Sequence, residues 1–411
     1  MHTVDSTSDG AAALANDSSV ARVEADQVRA VQAEPDDPGY AQQWSLPQIG
    51  WDQVYGSVDP LGTATVAVLD TGVDASHPDL AGNVVPGTSV FDPNSDGTTD
   101  PNGHGTWMAG IVAASTGNGL GIAGVGYAGV RVMPVTVLGS DGTGNDSDII
   151  SGVTYAADHG ADVILMSFSN PGYSESLQAA VDYAWSRGAV VIAATGNEGS
   201  STPTFPAGDR GVVGVSNTDF MDSLDLTSNY GIDTFLAAPG VGIETTAAGG
   251  GYATISGTSA AAAEVAGAAA LMRASSVDAT NGVVVGRLAR NADAAGSTEQ
   301  TGNGRLNLAR AIADTSLDSI EPAGSPPVGG GGPYVGPYVA VAAGITLSPT
   351  EGRPGNTVTV SGGGFPSSGN VTIKWDGTTL TTSPNPCTTN GGGNIQGTCQ
   401  FTVPAGSSTG S

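Results

Sequence analysis

The sequence has very little positive charge, and this shortage makes two classes of partner unsuitable. Its 411 residues contain 12 lysines and arginines against 39 aspartates and glutamates, a formal net charge of -27, and Lys374 is the only lysine. Nucleic acids and anionic membrane surfaces are bound by clustered basic side chains. We therefore expect neither as a partner. The acidic excess instead suits cation binding, solubility in salt, or secretion.

Cysteines and long apolar runs are scarce as well. Cys387 and Cys399 are the only cysteines, and their spacing suits either a local disulfide in an exported module or two unpaired thiols. No apolar run approaches the ~20 residues of a membrane-spanning helix, and no signal peptide precedes residue 20. Because the chain begins in a strand-like segment and ends in mid-composition at Ser411, we expect a fragment of a longer precursor.

The pattern of apolar segments predicts two folded parts joined by a linker. Between residues 63 and 313, continuous apolar strand-like runs alternate with helix-like runs, which indicates an α/β fold whose parallel sheet is covered on both faces. Residues 319–344 are rich in proline and glycine without a period, as linkers are. After them, valine and threonine alternate with turn residues, which is typical of a small β-sandwich.

Three side chains suited to acyl transfer stand in glycine-flanked turns at predicted strand ends or helix starts. Asp70 ends the strand of "VAVLDTGVD", His104 lies between glycines in "NGHGTWMAG", and Ser259 begins the helical run of "GTSAAAAEVAG". Acyl transfer needs a nucleophile, a base that activates it and a carboxylate that orients the base. Taken singly, Asp70 and Ser259 are explained as caps and His104 as a turn residue. Together they predict a hydrolase.

An asparagine adds the fourth part of such a site. Asn197 follows a buried strand in "VVIAATGNEG", where its amide can donate to a developing oxyanion. Alone, an asparagine in a glycine-rich turn is more simply a residue in the left-handed conformation. Because its chemistry matches that of the other three residues, we include Asn197 in the predicted site.

These motifs together resemble the subtilases, the subtilisin-like serine endopeptidases, and most of all their thermitase-like branch, from about Pro35 to Ala313. The matching stretches are "AVLDTGVDASHPDL", "NGHGTWMAGIVAA", "AATGNEG" and "ISGTSAAAAEVAGAAAL". Subtilisin is itself the standard example of the order Asp, His, Ser and of an asparagine oxyanion donor. The resemblance implies a three-layer catalytic domain over residues 35–318, with Asp70 orienting His104, His104 as base and acid, and Ser259 as nucleophile. It also implies an oxyanion hole made by Asn197 and the Ser259 N–H.

The same resemblance implies how an extended polypeptide substrate binds, as a strand added between two edge segments. Main-chain pairing would give affinity, and pockets would select side chains. The implied binding residues are Gly142, Thr143 and Gly144 on one edge, Ser167, Phe168 and Ser169 on the other, and Phe205, Pro206 and Ala207 at the base of the main pocket.

Calcium is the cofactor that the resemblance implies, because the matching residues are all oxygen donors. The first site would use the side chains of Asp37, Asp79 and Asn118 and the carbonyls of Thr116, Leu120 and Ile122. A second site would use Asp92, Asp96 and Asp100, although an acidic loop on so acidic a protein is also explained as a solvated surface.

The flanking segments imply a secreted zymogen. Residues 1–34 resemble the end of an inhibitor-type propeptide, with self-cleavage expected between Ala25 and Asp36, and residues 345–411 resemble part of a TIG-like immunoglobulin-type module. The implied protein is an extracellular, calcium-stabilised monomer that cleaves polypeptides and is inhibited by its own propeptide. The alternatives are a catalytically silent subtilase that serves as a binding protein, and an esterase, whose GxSxG elbow is absent around Ser259.

Three departures from the family pattern surround the predicted site. Ala262, Ala263 and Glu264 replace a small residue, proline and histidine after the nucleophile, and Trp107 replaces a second histidine after His104. Ser169 and Asn170 replace glycines on one pocket wall. We expect repacking behind the site, with the carboxylate of Glu264 added near His104.

Overall fold

The computed structural model describes residues 34–322, 344–349, 353–363, 370–375, 378–388, 395 and 398–404. Of the predicted end of a propeptide, residues 1–34, all but Glu34 lies outside the described residues, and so does most of the predicted processing interval between Ala25 and Asp36. The greater part of the predicted linker, residues 323–343, lies outside them as well.

A seven-stranded parallel sheet forms the middle layer of the catalytic part, in the order β2-β3-β1-β4-β5-β6-β7. Its strands are β1 (Ala64–Asp70), β2 (Thr88–Ser89), β3 (Val130–Thr136), β4 (Val163–Met166), β5 (Val190–Ala194), β6 (Val212–Thr218) and β7 (Leu236–Pro239). Strand β1 lies between β3 and β4, with Asp70 opposite Thr136 and Leu69 opposite Met166. The sheet order therefore places the loops after β3 and β4 on either side of Asp70.

Two apolar clusters cover the two faces of this sheet, as the continuous apolar strands predict. Successive side chains of β1 belong alternately to the two clusters: Val66 and Val68 are part of one, and Ala67 and Leu69 are part of the other. The helices are α1 (Ser45–Gln48), α2 (His104–Ala113), α3 (Asp146–Asp158), α4 (Glu175–Ser186), α5 (Thr258–Ser275), α6 (Asn281–Arg290), α7 (Thr298–Thr301) and α8 (Leu308–Ala313). The three-layer α/β architecture predicted from the sequence is confirmed.

Helix α5 is buried on all sides, and its composition explains how. Its first turns are almost wholly alanine, and Ala260, Ala261, Ala262 and Ala263 are all fully buried. A helix that is apolar all round is buried all round, and small side chains let neighbouring strands and helices approach closely. The residues that replace the family's proline and histidine are thus part of the core. Among the described residues, no helix is long and apolar enough to cross a membrane.

The described part of the C-terminal module is rich in strands. An antiparallel sheet has the order β10-β11-β17-β15, made of β10 (Gly344–Ser348), β11 (Thr357–Gly363), β15 (Thr382–Ser383) and β17 (Cys399–Thr402). Four shorter strands pair as β12 (Asn370–Val371) with β16 (Cys387–Thr388) and β13 (Lys374–Trp375) with β14 (Thr378–Thr379). Cys387 and Cys399 form a disulfide, which decides between the two interpretations of their spacing.

Candidate active site

Asp70 and His104 form a close pair at the carboxyl end of the central strand. Asp70 is fully buried, and its Oδ1 accepts a hydrogen bond from Thr71 N at 2.8 Å. Nδ1 of His104, the first residue of α2, lies 2.9 Å from both carboxylate oxygens of Asp70. An Nδ1–H group directed at this carboxylate leaves Nε2 as the basic nitrogen.

The pKa of His104 is set by opposing effects. Burial lowers it, whereas the adjacent carboxylate of Asp70, through its charge and its hydrogen bond, and the more distant charge of Asp100 raise it. The net result is a pKa above the ordinary histidine value. The imidazolium formed when His104 accepts a proton is therefore stabilised within the site.

Asp100 anchors the loop that carries His104. Its Oδ1 accepts from Thr71 Oγ1 at 2.7 Å and from Gly103 N at 2.8 Å, and its Oδ2 accepts from both the N–H and the hydroxyl of Thr106. These bonds connect the end of β1 to the first turn of α2. Sequence reasoning placed Asp100 in a calcium site and missed this contribution, because Thr71, 29 positions away, becomes its neighbour only in the folded chain.

The other two carboxylates of that predicted second site also accept hydrogen bonds from backbone groups of their own loops. Asp92 accepts from Asn94 N, and Asp96 accepts from Thr98 N. Among the described residues, no group of three or more His, Cys, Asp or Glu side chains is arranged to hold a metal ion. The structure therefore does not bring Asp92, Asp96 and Asp100 together as the sequence predicted.

Ser259 lies in the first turn of α5, after a glycine whose conformation the turn requires. Gly257 has φ = 140°, and a Cβ atom there would lie 3.1 Å from Oδ1 of Asn197. The Ser259 hydroxyl donates to the carbonyl of Ser167, directly after β4, at 3.0 Å rather than to His104. Hydrogen bonds of a catalytic serine are often made only with substrate present. This contact was not predicted, because the sequence does not show which backbone carbonyl will lie near the Ser259 hydroxyl in the folded chain.

Asn197 is oriented by the residue that precedes the serine. Its Oδ1 accepts from Thr258 N at 2.9 Å and from Thr258 Oγ1 at 3.1 Å, and Gly196 N donates to the same hydroxyl. Because the amide oxygen is directed at Thr258, the Nδ2 group is free of that contact and available as a donor. Thr258 is a further site residue that sequence reasoning did not single out.

The predicted pocket walls also meet. Asn170 N donates to the Phe205 carbonyl at 2.9 Å, and Phe205 N donates to the Asn170 carbonyl at 2.7 Å, which joins the segment 167–170 to the segment 205–207. Phe205 is buried and packs edge-on against Tyr173. Ser167 and Ala207 are buried, whereas Phe168 and Ser169 are partly exposed.

The opposite predicted edge is an exposed turn. Gly139 N donates to the carbonyl of Thr143 at 2.8 Å, and Gly142 has φ = 79°. Asn102 Nδ2, two residues before His104, donates to the carbonyl of Ser140 at 3.0 Å. This bond connects the loop of residues 139–144 to the loop that carries His104.

The residues of the first predicted calcium site do come together, in what we call the carboxylate cradle: Asp37, Asp79 and the loop 116–122. Asp37 and Asp79 are buried, and Asn118 contacts both: its N–H donates to Asp37 at 3.1 Å and its Nδ2 to Asp79 at 2.9 Å. Burial, followed by the charges of Asp79 and Asp36, raises the pKa of Asp37 against the effect of its backbone hydrogen bonds. Asn118 Oδ1 accepts from Leu120 N at 2.7 Å within the same loop. Two buried carboxylates joined through one asparagine are oxygen donors of the kind that a calcium ion binds.

The two unusual residues near the site have different surroundings. Trp107 packs against His104, with ring centroids 5.8 Å apart. Glu264 is buried within α5, where desolvation raises its pKa to about 8 against the effects of Ser45 and Arg305. The charges that raise the pKa of His104 are those of Asp70 and Asp100, and the carboxyl of Glu264 is not among them.

Comparison with known proteins identifies the family. The model of the subtilase family matches residues 62–307, more than half of the chain and all four predicted catalytic residues. The chain belongs to the subtilase family. This membership makes it a serine endopeptidase of the subtilisin type, as the sequence motifs predicted.

Individual relatives place this subtilase near thermitase. It is similar to thermitase from Thermoactinomyces vulgaris, with 39% identity over 68% of the chain and 99% of that protein. It is 39% identical to a thermophilic serine proteinase from Bacillus sp. (strain AK1), over 57% of each protein. Subtilisin BL from Lederbergia lenta is 40% identical over 59% of the chain and 88% of its own length.

Proposed function

We propose that this subtilase hydrolyses polypeptides through an acyl-enzyme formed on Ser259. The observation that carries the proposal is the contact of His104 Nδ1 with both oxygens of the buried Asp70, at the carboxyl end of the sheet where Ser259 and Asn197 also lie. A buried carboxylate fixes the imidazole and stabilises its protonated form, which is what a base that becomes an acid requires.

The reaction has two halves. Ser259 Oγ forms a bond to the carbonyl carbon of the scissile peptide while His104 Nε2 takes the hydroxyl proton. Asn197 Nδ2 and the Ser259 N–H stabilise the oxyanion. The C–N bond then breaks, and His104 gives its proton to the departing amine. In the second half His104 deprotonates a water that attacks the ester, and the proton returns to Ser259 as the acid product leaves.

Substrate recognition follows from the two loops beside Asp70. The segments 142–144 and 167–169 supply backbone groups for an extended peptide, and the segment 205–207 closes the main pocket below them. The buried Phe205 and Ala207 suit apolar or aromatic side chains. Because main-chain pairing ignores side-chain identity, we expect broad specificity with this preference.

We further propose calcium as a structural cofactor in the carboxylate cradle. Asp37, Asp79 and Asn118 would supply side-chain oxygens, and Thr116, Leu120 and Ile122 would supply carbonyls. A bound cation offsets the repulsion between Asp37 and Asp79, which stabilises the fold around the loop 116–122. It takes no part in the reaction steps.

A secreted zymogen is the remaining part of the proposal. Its support is the propeptide-like sequence of residues 1–34 and the disulfide in the C-terminal module, since disulfides persist in oxidising compartments. The purified chain and its Ser259→Ala variant, compared by gel and intact mass with and without calcium, test it. The unmodified chain is expected to shorten at a bond between Ala25 and Asp36, and the variant to stay intact. Shortening of both chains alike would contradict self-processing.

A further inference from the structure

A β-hairpin outside the central sheet leads directly into the turn that carries the nucleophile. Its strands are β8 (Ile243–Ala247) and β9 (Gly251–Ile255), paired antiparallel with Ile243 opposite Ile255. Only Ser256 separates β9 from Gly257, whose N–H donates to the Gly240 carbonyl at 2.7 Å. A displacement of the hairpin is therefore transmitted to Ser259 along four residues of chain.

The end of this hairpin contacts the carboxylate cradle. The Tyr252 hydroxyl lies beside the Asp79 carboxylate, directly above Gly121: a Cβ atom at Gly121 would lie 2.0 Å from the hydroxyl oxygen and 2.3 Å from Asp79 Oδ2. Burial, followed by the charge of Asp79 and its interaction with the hydroxyl, raises the pKa of Tyr252 to about 12. His77 adds a second contact, with Nε2 at 2.7 Å from the carbonyl of Gly251 and its ring edge-on to Tyr252. The hairpin is thus attached to the side of the cradle that carries Asp79.

The other strand contacts the helix that begins with His104. Thr246 Oγ1 donates to the carbonyl of Thr106 at 2.8 Å, and the Thr245 hydroxyl donates to the carbonyl of Trp107. One short hairpin therefore joins the cradle, the first turn of α2 and the Ser259 turn. Hydrogen bonds, rather than buried apolar area, fix its outer strand, because Tyr252 is 44% exposed.

We propose that Tyr252 is a positioning residue for the nucleophile: its hydroxyl holds the β8–β9 hairpin on Asp79 and so keeps the Ser259 turn aligned with His104. The inference rests on the proposed function, because it assigns a task in the same reaction. It differs from a purely structural role in one respect. Loss of the hydroxyl should lower turnover without a matching loss of substrate binding.

The test is Tyr252→Phe, which keeps the ring and removes only the hydroxyl. Tyr183→Phe is the matched control, because Tyr183 is 39% exposed and its hydroxyl donates to an aspartate, Asp158, in the pair of helices α3 and α4. Active sites are counted with a serine-directed reagent, and kcat and KM are measured on a peptide substrate in calcium. Amide exchange over residues 251–257 is compared for the same variants in a Ser259→Ala background, which prevents self-digestion.

Tyr252→Phe is expected to lower kcat about fivefold, a typical effect of one hydrogen bond, with KM within about twofold of the unmodified value. Amide exchange over residues 251–257 should become faster in Tyr252→Phe. Tyr183→Phe should change neither kcat nor the exchange rate of these residues. Unchanged exchange, or faster exchange with unchanged kcat, overturns the proposal. An unmodified chain that is folded but inert overturns the proposed function instead. Amide exchange then still decides whether Tyr252 fixes the hairpin.

Discussion

At the residue scale, the acid-base chemistry depends on how three carboxyl and amide groups are held around His104 and Ser259. Asp70 contacts the imidazole through both oxygens, Asp100 holds the loop in front of it, and Asn197 is oriented by Thr258. Each group is fixed by protein donors before substrate arrives. Such preorganisation is the largest single source of transition-state stabilisation in many enzymes.

The pKa of His104 predicts the acid limb of the pH profile. Because the pKa is raised, the imidazole stays protonated, and unable to act as a base, to a higher pH than an ordinary histidine would. We expect kcat/KM to rise with pH through an apparent pKa above about 6.5. Initial rates on a peptide substrate, in buffers of constant ionic strength, measure it. An acid limb at or below that value would contradict the assignment of His104 as the base.

The oxyanion contact predicts a loss confined to turnover. Asn197→Ala removes the Nδ2 donor, and we expect kcat to fall by about 10²- to 10³-fold with a much smaller change in KM. Asn197→Asp is the matched control for shape, because it keeps the side-chain geometry but replaces the Nδ2 donor by an acceptor. Its kcat should fall by at least as much as that of Asn197→Ala. A fall of less than tenfold in both variants would remove Asn197 from the site.

Sequence reasoning found the site residues whose neighbours in the chain mark them. Asp70, His104, Asn197 and Ser259 each stand in a glycine-rich turn after a strand or before a helix, so type and position together indicated them. Asp100, Thr258 and Tyr252 were missed or given another task. Partners that identify them lie 29 positions away for Asp100 (Thr71), 61 for Thr258 (Asn197) and 173 for Tyr252 (Asp79), and only tertiary packing brings these residues close.

At the element scale, helix α5 combines a catalytic turn with a buried ionisable group. Ser259 opens the helix, and Glu264 lies one and a half turns further on, fully enclosed, with Arg305 and Ser45 as the groups that favour its charged form. Desolvation outweighs both. The folded protein therefore prefers the protonated carboxyl, whereas the unfolded chain ionises it at ordinary acidic pH.

This preference gives a pH-dependent stability with a definite sign. Because the folded-state pKa of Glu264, about 8, is above the unfolded value, its contribution is complete below about pH 4.5 and lost as the pH rises through 8. Relative to Glu264→Gln, the unmodified chain should lose up to about 4 kcal/mol of unfolding free energy between pH 5 and pH 8. Urea unfolding of both chains in a Ser259→Ala background measures the difference. Parallel pH curves for the two chains would contradict it.

The elements themselves were largely predictable, because their apolar patterns are strong. The alternation of strand-like and helix-like runs predicted between residues 63 and 313 corresponds to strands such as Ala64–Asp70 and helices such as Asp146–Asp158. The β8–β9 hairpin was not predicted, since its strand β9 is largely exposed and has no clear alternation. Its conformation depends on the contacts with Asp79, Thr106 and Trp107 rather than on its own composition.

At the scale of the whole molecule, the net charge of -27 leads to a prediction about salt. Like charges on the surface repel one another and destabilise the compact state, and salt screens them. We expect the melting temperature of the Ser259→Ala chain to rise as sodium chloride increases from about 0.05 to 1 M, where the screening length falls to about 3 Å. Thermal unfolding followed by circular dichroism measures this. A melting temperature independent of salt would show that the acidic surface does not limit stability.

The central claim concerns the whole folded chain, namely that Ser259 is a nucleophile activated by the pair Asp70 and His104. The most direct measurement is labelling of the purified chain with a fluorophosphonate, with the modified residue located by peptide mass mapping and casein hydrolysis followed in parallel. We predict one label per molecule, on Ser259, with hydrolysis lost as the label accumulates, and neither labelling nor hydrolysis in Ser259→Ala. A folded chain that leaves Ser259 unlabelled, or a Ser259→Ala variant that still digests casein, would contradict the account.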